Sequence, residues 1–353
     1  MKKLIFLSAI ILFVLSVDAQ TKFRSGIFLH HSTGQNIWGP NGSATSIPQE
    51  MDAYNIAHSF TGSDTITMNE EWWSPSDNEW STQHAFFEDP SAVTGIGYYL
   101  PANKIIVVKS CFPSSAISGI GQASDTLSPT DKTIYNYKWH WRHIITVMKS
   151  HPENFFAIWT NAPLEVNSTN LTEAGLADWF CTWAKDTLAA GLDPVFGAFP
   201  ANVYVFDFFH KLVDANGIML DIYKTGSGDS HPNAAATALV APQFVHEIFD
   251  ASIYYESIYS SIPNNDLQPA LFTAYPNPFA EQTRISFSNP AKQKINLSVY
   301  DAEGKLVRIL VDAEMQKGLY SVILQTPSLK SGIYFCTIKT EITSKSVKIM
   351  ISK

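Results

Sequence analysis

Gly26-Ile27-Phe28-Leu29-His30-His31-Ser32-Thr33-Gly34 is the stretch on which the fold turns. An apolar run of strand length ends abruptly in polar residues and a glycine, the pattern of a buried strand stopping at a loop. Three further short, β-rich runs follow at 104–109, 155–159 and 203–206, and stretches with helical patterning lie between or after them at 137–149, 176–190 and 234–249. Strands alternating with helices over this length predict an α/β domain: a parallel sheet with helices on both faces, in three layers. In such sheets function gathers in the loops at the carboxyl ends of the strands.

Past 259 the pattern changes. Residues 260–270 include Ser260-Ser261-Ile262-Pro263-Asn264-Asn265-Asp266-Leu267-Gln268-Pro269, a polar, proline-bounded linker. Short runs near period two then occupy 283–287, 295–300, 306–311, 318–324, 332–337 and 346–351, separated by turns such as Asp301-Ala302-Glu303-Gly304. Evenly spaced short strands of this kind predict an all-β, immunoglobulin-like sandwich over 271–353. All nine tryptophans precede Gly191, so the two regions differ in composition as well as in period.

Within the second region Tyr275-Pro276-Asn277-Pro278-Phe279 is followed by Val299-Tyr300-Asp301 with Gly304. Ser331-Gly332-Ile333-Tyr334-Phe335 and a lysine-bearing last strand ending at Lys353 come next. In that order these residues resemble the C-terminal sorting domain of type IX secretion, found in Bacteroidota. The resemblance implies export to the outer surface or the medium, contact with the type IX machinery and, often, removal of the domain. A generic sandwich that binds a ligand is the other reading.

The start of the chain agrees with export. Met1-Lys2-Lys3, an apolar run over 4–17 and Val17-Asp18-Ala19 describe a signal peptide, 1–19, whose cleavage would leave Gln20. A membrane anchor is the alternative, but the run is short for a bilayer. Hydrophobic residues at 45% and charged residues at 16% describe a chain able to build a core. The net charge of −8 argues against tracking nucleic-acid phosphates, which needs a basic face. No later segment has the length and apolarity of a membrane span. Three cysteines make no disulfide framework; Cys111 and Cys181 are either a pair or free buried thiols.

Two motifs carry chemistry. Ser32 lies just past the first strand, where a hydroxyl can project beside backbone N–H groups. Gly226-Ser227-Gly228-Asp229-Ser230-His231-Pro232-Asn233 precedes an alanine-rich helix and supplies an imidazole with a carboxylate two positions before it. A serine hydroxyl needs such a base, and the base needs an orienting group. Each motif also has a structural reading, a turn for the first and a helix start for the second.

Taken together they resemble the SGNH, or GDSL-type, hydrolases over roughly 26–248. The resemblance implies a flavodoxin-like sheet, Ser32 as nucleophile, His231 as base and Asp229 as its orienter. Two intermediate blocks follow in order. In Ser110-Cys111-Phe112-Pro113-Ser114-Ser115, Ser114 stands in for the family's oxyanion glycine. In Thr160-Asn161-Ala162-Pro163-Leu164, Asn161 is the oxyanion amide, and the N–H of Ser32 completes the hole. The spelling departs from the family in several places. His31 replaces the Asp before the serine, the second block lacks its glycine, and the third lacks the Asp after its Asn. Only one residue separates Asp229 from His231, where the family has two. The orienter of His231 therefore stays open between Asp229, a backbone carbonyl and Asp207. The implied reaction is hydrolysis of an ester, with an acylated carbohydrate as the expected substrate and no cofactor required. The rival readings are a non-catalytic member of the fold that binds glycan, and a metal-dependent hydrolase using His30, His31, His140 and His143. Trp72, Trp73 and Trp80 form either a sugar-stacking platform or loop packing, with packing preferred. His210, Asp214 and His246 read as surface or helix-end residues.

Overall fold

A computed structural model describes residues 22–73, 79–91, 93–259, 272–289, 292–327, 329–340 and 344–353. The expected signal peptide, and all of the expected linker at 260–270, lie outside the described residues.

The apolar runs form strands β1 (Ser25–His30), β3 (Ile105–Val108), β4 (Phe155–Trp159) and β5 (Val203–Phe206), and β2 (Thr67–Trp72) joins them at an edge. All four pairings are parallel, in the order β2-β1-β3-β4-β5. Strand order reverses between β1 and β3, and the crevice outside their carboxyl ends is the topological switch point of a doubly wound sheet.

Alternation along each strand decides which layer a residue joins. Ile27, Leu29, Ile106, Val108, Phe156 and Ile158 face a core shared with α3 (Trp80–Glu88), α4 (Ile134–Lys149) and α5 (Leu171–Thr182). Phe28, Ile105, Val107, Phe155, Ala157 and Trp159 face the other core, shared with α1 (Ser32–Trp38), α2 (Ile47–His58) and α6 (Ala234–Tyr259). The central strands are buried on both sides, which is why they read as unbroken apolar runs. Between β5 and α6 a short antiparallel hairpin, β6 (Lys224–Gly226) and β7 (Asp229–Pro232), interrupts the parallel pattern.

The second region is antiparallel throughout its strand pairings. Strands β10 (Gln293–Asp301), β11 (Leu306–Met315), β13 (Gly332–Lys339) and β14 (Ser344–Ile351) make one sheet in the order β11-β10-β13-β14. The other is β12-β9-β8, from β8 (Phe272–Tyr275), β9 (Gln282–Asn289) and β12 (Gly318–Gln325). Their inward residues, among them Ile285, Phe287, Leu297, Val299, Val322 and Ile349, form a third core.

The sandwich docks through the outer face of β12-β9-β8. Ser321 N–H donates to the Phe199 carbonyl at 2.6 Å, making an isolated bridge between the regions. Tyr254 Oη meets Thr273 Oγ1 at 3.1 Å and its ring stacks on Tyr275 at 5.0 Å. Phe199 precedes β5 and Tyr254 lies in the last turns of α6. The contact is therefore at the end of the sheet opposite its carboxyl rim.

No helix among the described residues is long and apolar enough to cross a membrane. Cys111, Cys181 and Cys336 are all free and buried, which settles the open pairing of the first two.

Candidate active site

Ser32 is the first residue of α1, directly after β1 and His31. Gly34 lets that turn close: a Cβ there would stand 2.4 Å from the Cβ of His30. The Ser32 hydroxyl therefore sits at the switch point, where the loop following β3 approaches it. There Ser32 Oγ and Cys111 Sγ are 3.4 Å apart.

Asp229 and His231 lie on one strand, which gives a physical reason for their one-residue spacing. Residues i and i+2 of a strand point to the same side. Ser230 points the other way and is buried, its hydroxyl accepting from the Glu165 N–H at 3.1 Å. Asp229 Oδ1 takes His231 Nδ1 at 2.6 Å and the His231 backbone N–H at 3.0 Å. Those two bonds hold the Asp229 carboxyl below the usual carboxylate range. Gly228, at φ +76°, permits the tight Ser227-Gly228 turn that makes this strand possible. With Nδ1 bound to a carboxylate, the imidazole carries its proton there and leaves Nε2 as the basic nitrogen.

Asp207 does not orient His231, a correction to one of the alternatives. Its carboxylate is bonded to His210 Nδ1 at 2.8 and 2.9 Å, and His210 Nε2 reaches Asp178 at 3.2 Å. His210 is thus a partly buried, ion-paired residue, and Asp207 raises its pKa against the effect of burial.

Ser32 and His231 flank the same loop. Cys111 touches the serine, and the next residue, Phe112, meets the His231 ring edge-on at 5.1 Å. Strand β7 is also tied to α1 and the residues after it. Asn41 Nδ2 donates to the Pro232 carbonyl at 3.2 Å and to Thr237 Oγ1 at 3.0 Å, and Thr237 Oγ1 donates to the Asn36 carbonyl at 2.8 Å. Among the described residues the Ser32 hydroxyl is bonded to Cys111 rather than to His231.

Two of the three expected oxyanion residues, Ser114 and Asn161, are joined to each other. Asn161, fully buried just past β4, donates from Nδ2 to the Ser114 carbonyl at 3.2 Å. Its Oδ1 accepts from Trp80 Nε1 at 2.8 Å. An indole N–H can only donate, so this bond fixes which way the amide faces. Trp80 and Trp73 are packed inside, while Trp72 is 52% exposed and stacks on His31 at 4.8 Å.

Sequence reasoning missed Lys109. It ends the most apolar strand of the sheet and is fully buried, with Nζ donating to Thr33 Oγ1 and to its neighbour's carbonyl, Ser110 O, at 2.6 Å. Burial pushes its pKa down to about 8. Burial pushes the Cys111 thiol up. The Lys109 ammonium, the Ser32 hydroxyl and the N–H groups of Thr33 and Phe112 outweigh it, so the net shift is downward. The available signal was a lysine closing Ile105-Ile106-Val107-Val108 at a carboxyl end, where a buried charge serves a site more often than a core.

The imagined four-histidine site does not assemble. His30 Nε2 is bonded to Glu70 Oε2 at 2.6 Å, whereas His140 meets His84, Nδ1 to Nδ1, at 2.8 Å on the helical layer. Among the described residues no three His, Cys, Asp or Glu side chains gather as ligands.

Residues 273–352 match the family described as the secretion system C-terminal sorting domain. No curated protein matches the chain. Of solved structures, dimeric latent PorU from Porphyromonas gingivalis is 16% identical over 24% of this chain and 10% of its own, with a TM-score of 0.20. PorZ, a surface component of the type IX secretion system of the same organism, is 16% identical over 23% of this chain and 11% of its own, at 0.17. The endo-β-1,4-mannanase of Cellulomonas fimi is 12% identical over 92% of this chain and 63% of its own, at 0.23. The chain thus spans about a tenth of the first two proteins, and none of these likenesses decides what the first domain is. The family match does decide the second: residues 273–352 are a secretion-system C-terminal sorting domain, and the chain is exported to the cell surface or the medium.

Proposed function

We propose that the α/β domain is an exported serine esterase of the SGNH type that removes acyl groups from a carbohydrate. Ser32 Oγ attacks the ester carbonyl while His231 Nε2 takes its proton. Asp229 holds Nδ1–H and stabilises the imidazolium, and His231 then returns the proton to the leaving alcohol. The N–H of Ser32 and the Asn161 amide receive the oxyanion; the Ser114 N–H, which donates to the Cys111 carbonyl at 3.1 Å, joins them only by giving up that bond. The buried Lys109 ammonium adds positive potential behind the serine, where negative charge develops. For the proton transfer to begin, the Ser32 hydroxyl leaves Cys111 and turns toward the imidazole. The observation that carries the reading is the Asp229–His231 pair, at 2.6 Å on one face of β7, packed beside α1 at the switch point. The carbohydrate rests on the family resemblance and the export route.

The test is hydrolysis of p-nitrophenyl acetate by the purified chain and by Ser32→Ala. Loss of turnover supports the reading, and an unchanged rate removes it. One observation favours a second reading, a non-catalytic surface or glycan binder: the contact of Ser32 Oγ with Cys111 Sγ at 3.4 Å. A serine-directed fluorophosphonate separates the two, because a binding module stays unlabelled.

A further inference from the structure

The sorting sandwich has two outer faces, and the first domain covers only one. On β12-β9-β8 the outward residues Arg284, Ser286 and Ser321 are turned into the contact with the α/β domain. Ser286 and Ser321 are fully buried, and Tyr254 reaches both Thr273 and Ser286. Among the described residues, no part of the first domain covers the outer face of β11-β10-β13-β14.

Its register shows what that face displays. Tyr300 pairs with Leu306 on one side and Phe335 on the other, and Ile333 pairs with Met350. Leu306 is 48% exposed, Ile309 52%, Ile333 43%, Phe335 38% and Met350 39%. The inward partners on the same strands, Val299, Cys336 and Ile349, are fully buried, so this is a second apolar surface and not a frayed core. A cluster of this size on one sheet face is the mark of a contact surface.

Charge says what kind of partner it suits. Residues 271–353 carry eleven Lys and Arg against six Asp and Glu, although the whole chain is at −8. On this face Lys348 is opposite Phe335 and Lys339 Nζ lies 5.8 Å from the Tyr300 ring centre, while the acidic Asp312 and Glu314, nearer its other end, are ion-paired with Lys294 and Lys292. Apolar residues with lysines among them complement an apolar surface bearing carboxylates.

We propose that this outer face, centred on Phe335, Ile333 and Met350 with Lys339 and Lys348, is where the export machinery grips the sorting domain, through an apolar partner surface that carries carboxylates. The cargo side and the machinery side of the sandwich are then its two opposite faces.

The test uses the full chain expressed in a bacterium that possesses type IX secretion, with the periplasmic and exported fractions measured. Phe335→Glu, and separately the double reversal Lys339→Glu/Lys348→Glu, are each expected to lower the exported fraction by about tenfold. The purified lysine variant should melt at the wild-type temperature, because exposed lysines have no core to disturb. Lys292→Glu, at the far end of the same sheet, should export normally. Normal export of both face variants overturns the proposal, as does equal failure of Lys292→Glu, which would show a need for charge alone. A wild-type dimer that Phe335→Glu splits would also overturn it, by assigning the face to a second copy of the chain.

Discussion

Lys109→Met should change how stability depends on pH, and the sign is fixed by the buried ammonium. The group titrates at 10.5 when solvated and at about 8 in the folded chain, where burial disfavours its charge. Between those values the unfolded chain holds a proton that the folded chain has released, so stability rises as pH climbs from about 8 to 10.5. Below about 8 both states are protonated, and the folded state bears the whole cost of a buried charge, about 3 kcal/mol at about 1.4 kcal/mol per tenfold change. Methionine matches the lysine stem and removes the charge, at the expense of the bonds to Thr33 and Ser110. The difference in unfolding free energy, wild type minus variant, is therefore expected to grow by about 2–3 kcal/mol between pH 7 and pH 10. Urea denaturation of both proteins at the two pH values measures it, and comparison with the variant cancels the tyrosines and other lysines. A difference that does not move with pH would mean that Lys109 keeps its ordinary affinity for protons, and the electrostatic role given to it beside Ser32 would go with it.

The catalytic reading makes three further demands. Asp229→Ala removes a charge-assisted bond from His231; such bonds contribute about 1.5–3 kcal/mol, so kcat/KM for p-nitrophenyl acetate should fall about 10- to 150-fold. The carboxylate is 42% exposed, and water can partly replace it, so a much larger loss is not expected. Trp80→Phe keeps the ring in the core but frees the Asn161 amide to turn. A fall in kcat of at least about tenfold with little change in KM is expected, and a KM effect alone would make Trp80 structural only. Iodoacetamide at neutral pH should alkylate Cys111 before Cys181 or Cys336, whose thiols burial pushes up, and the adduct should block fluorophosphonate labelling of Ser32. Cys111→Ser should keep that labelling in the presence of iodoacetamide; if it does not, the 3.4 Å neighbourhood of the two side chains is misjudged.

The parts of the fold that the sequence makes legible are those where burial on both sides suppresses every polar residue. Strands β3, β4 and β5 read as apolar runs because nothing else fits between two helical layers. Strand β2 was not legible: it is an edge strand like β5, but only Met68 of its six residues is buried, and Glu70 and Glu71 occupy positions that a strand covered on both faces would not allow. The hairpin of β6 and β7 reads as a loop, since its glycines and polar residues carry no period. Helix α6 runs on to Tyr259, ten residues beyond the expected 249, because Tyr255 and Tyr259 still pack on the core there. In the site, Ser32 and Asn161 were legible as residues that follow strands. The choice of Asp229 over Asp207 was not, for it depends on β7 being extended and on His210 lying beside Asp207. Lys109 was marked only by its place at the end of an apolar strand; its meaning lies in Thr33 and Cys111, which reach it only in three dimensions.

Helix α6 links the candidate site and the sorting domain, which lie at opposite ends of the sheet. Its first residues follow β7, and Thr237 in its first turn bonds to α1, so this end helps to set Asp229 and His231 beside Ser32. Its last turns hold Glu256, which takes Arg24 Nε at 3.1 Å and the Phe23 N–H at 3.0 Å, and Tyr254, which meets the sandwich. The helix is about 39 Å long at 1.5 Å per residue over its 26 residues. A span of that length separates the carboxyl rim from the docked face by more than the Debye length of about 8 Å at physiological salt, so charges on the sorting domain are screened from the imidazole. The residues that touch the sandwich, among them Lys149, Ala190, Phe199 and Tyr254, are none of those that surround Ser32 or His231. Loss of the sandwich after export would uncover Tyr254 and the Phe199 edge while leaving the Asp229–His231 bond in place. The architecture therefore lets an export address be attached at one pole of the domain while the candidate site occupies the other.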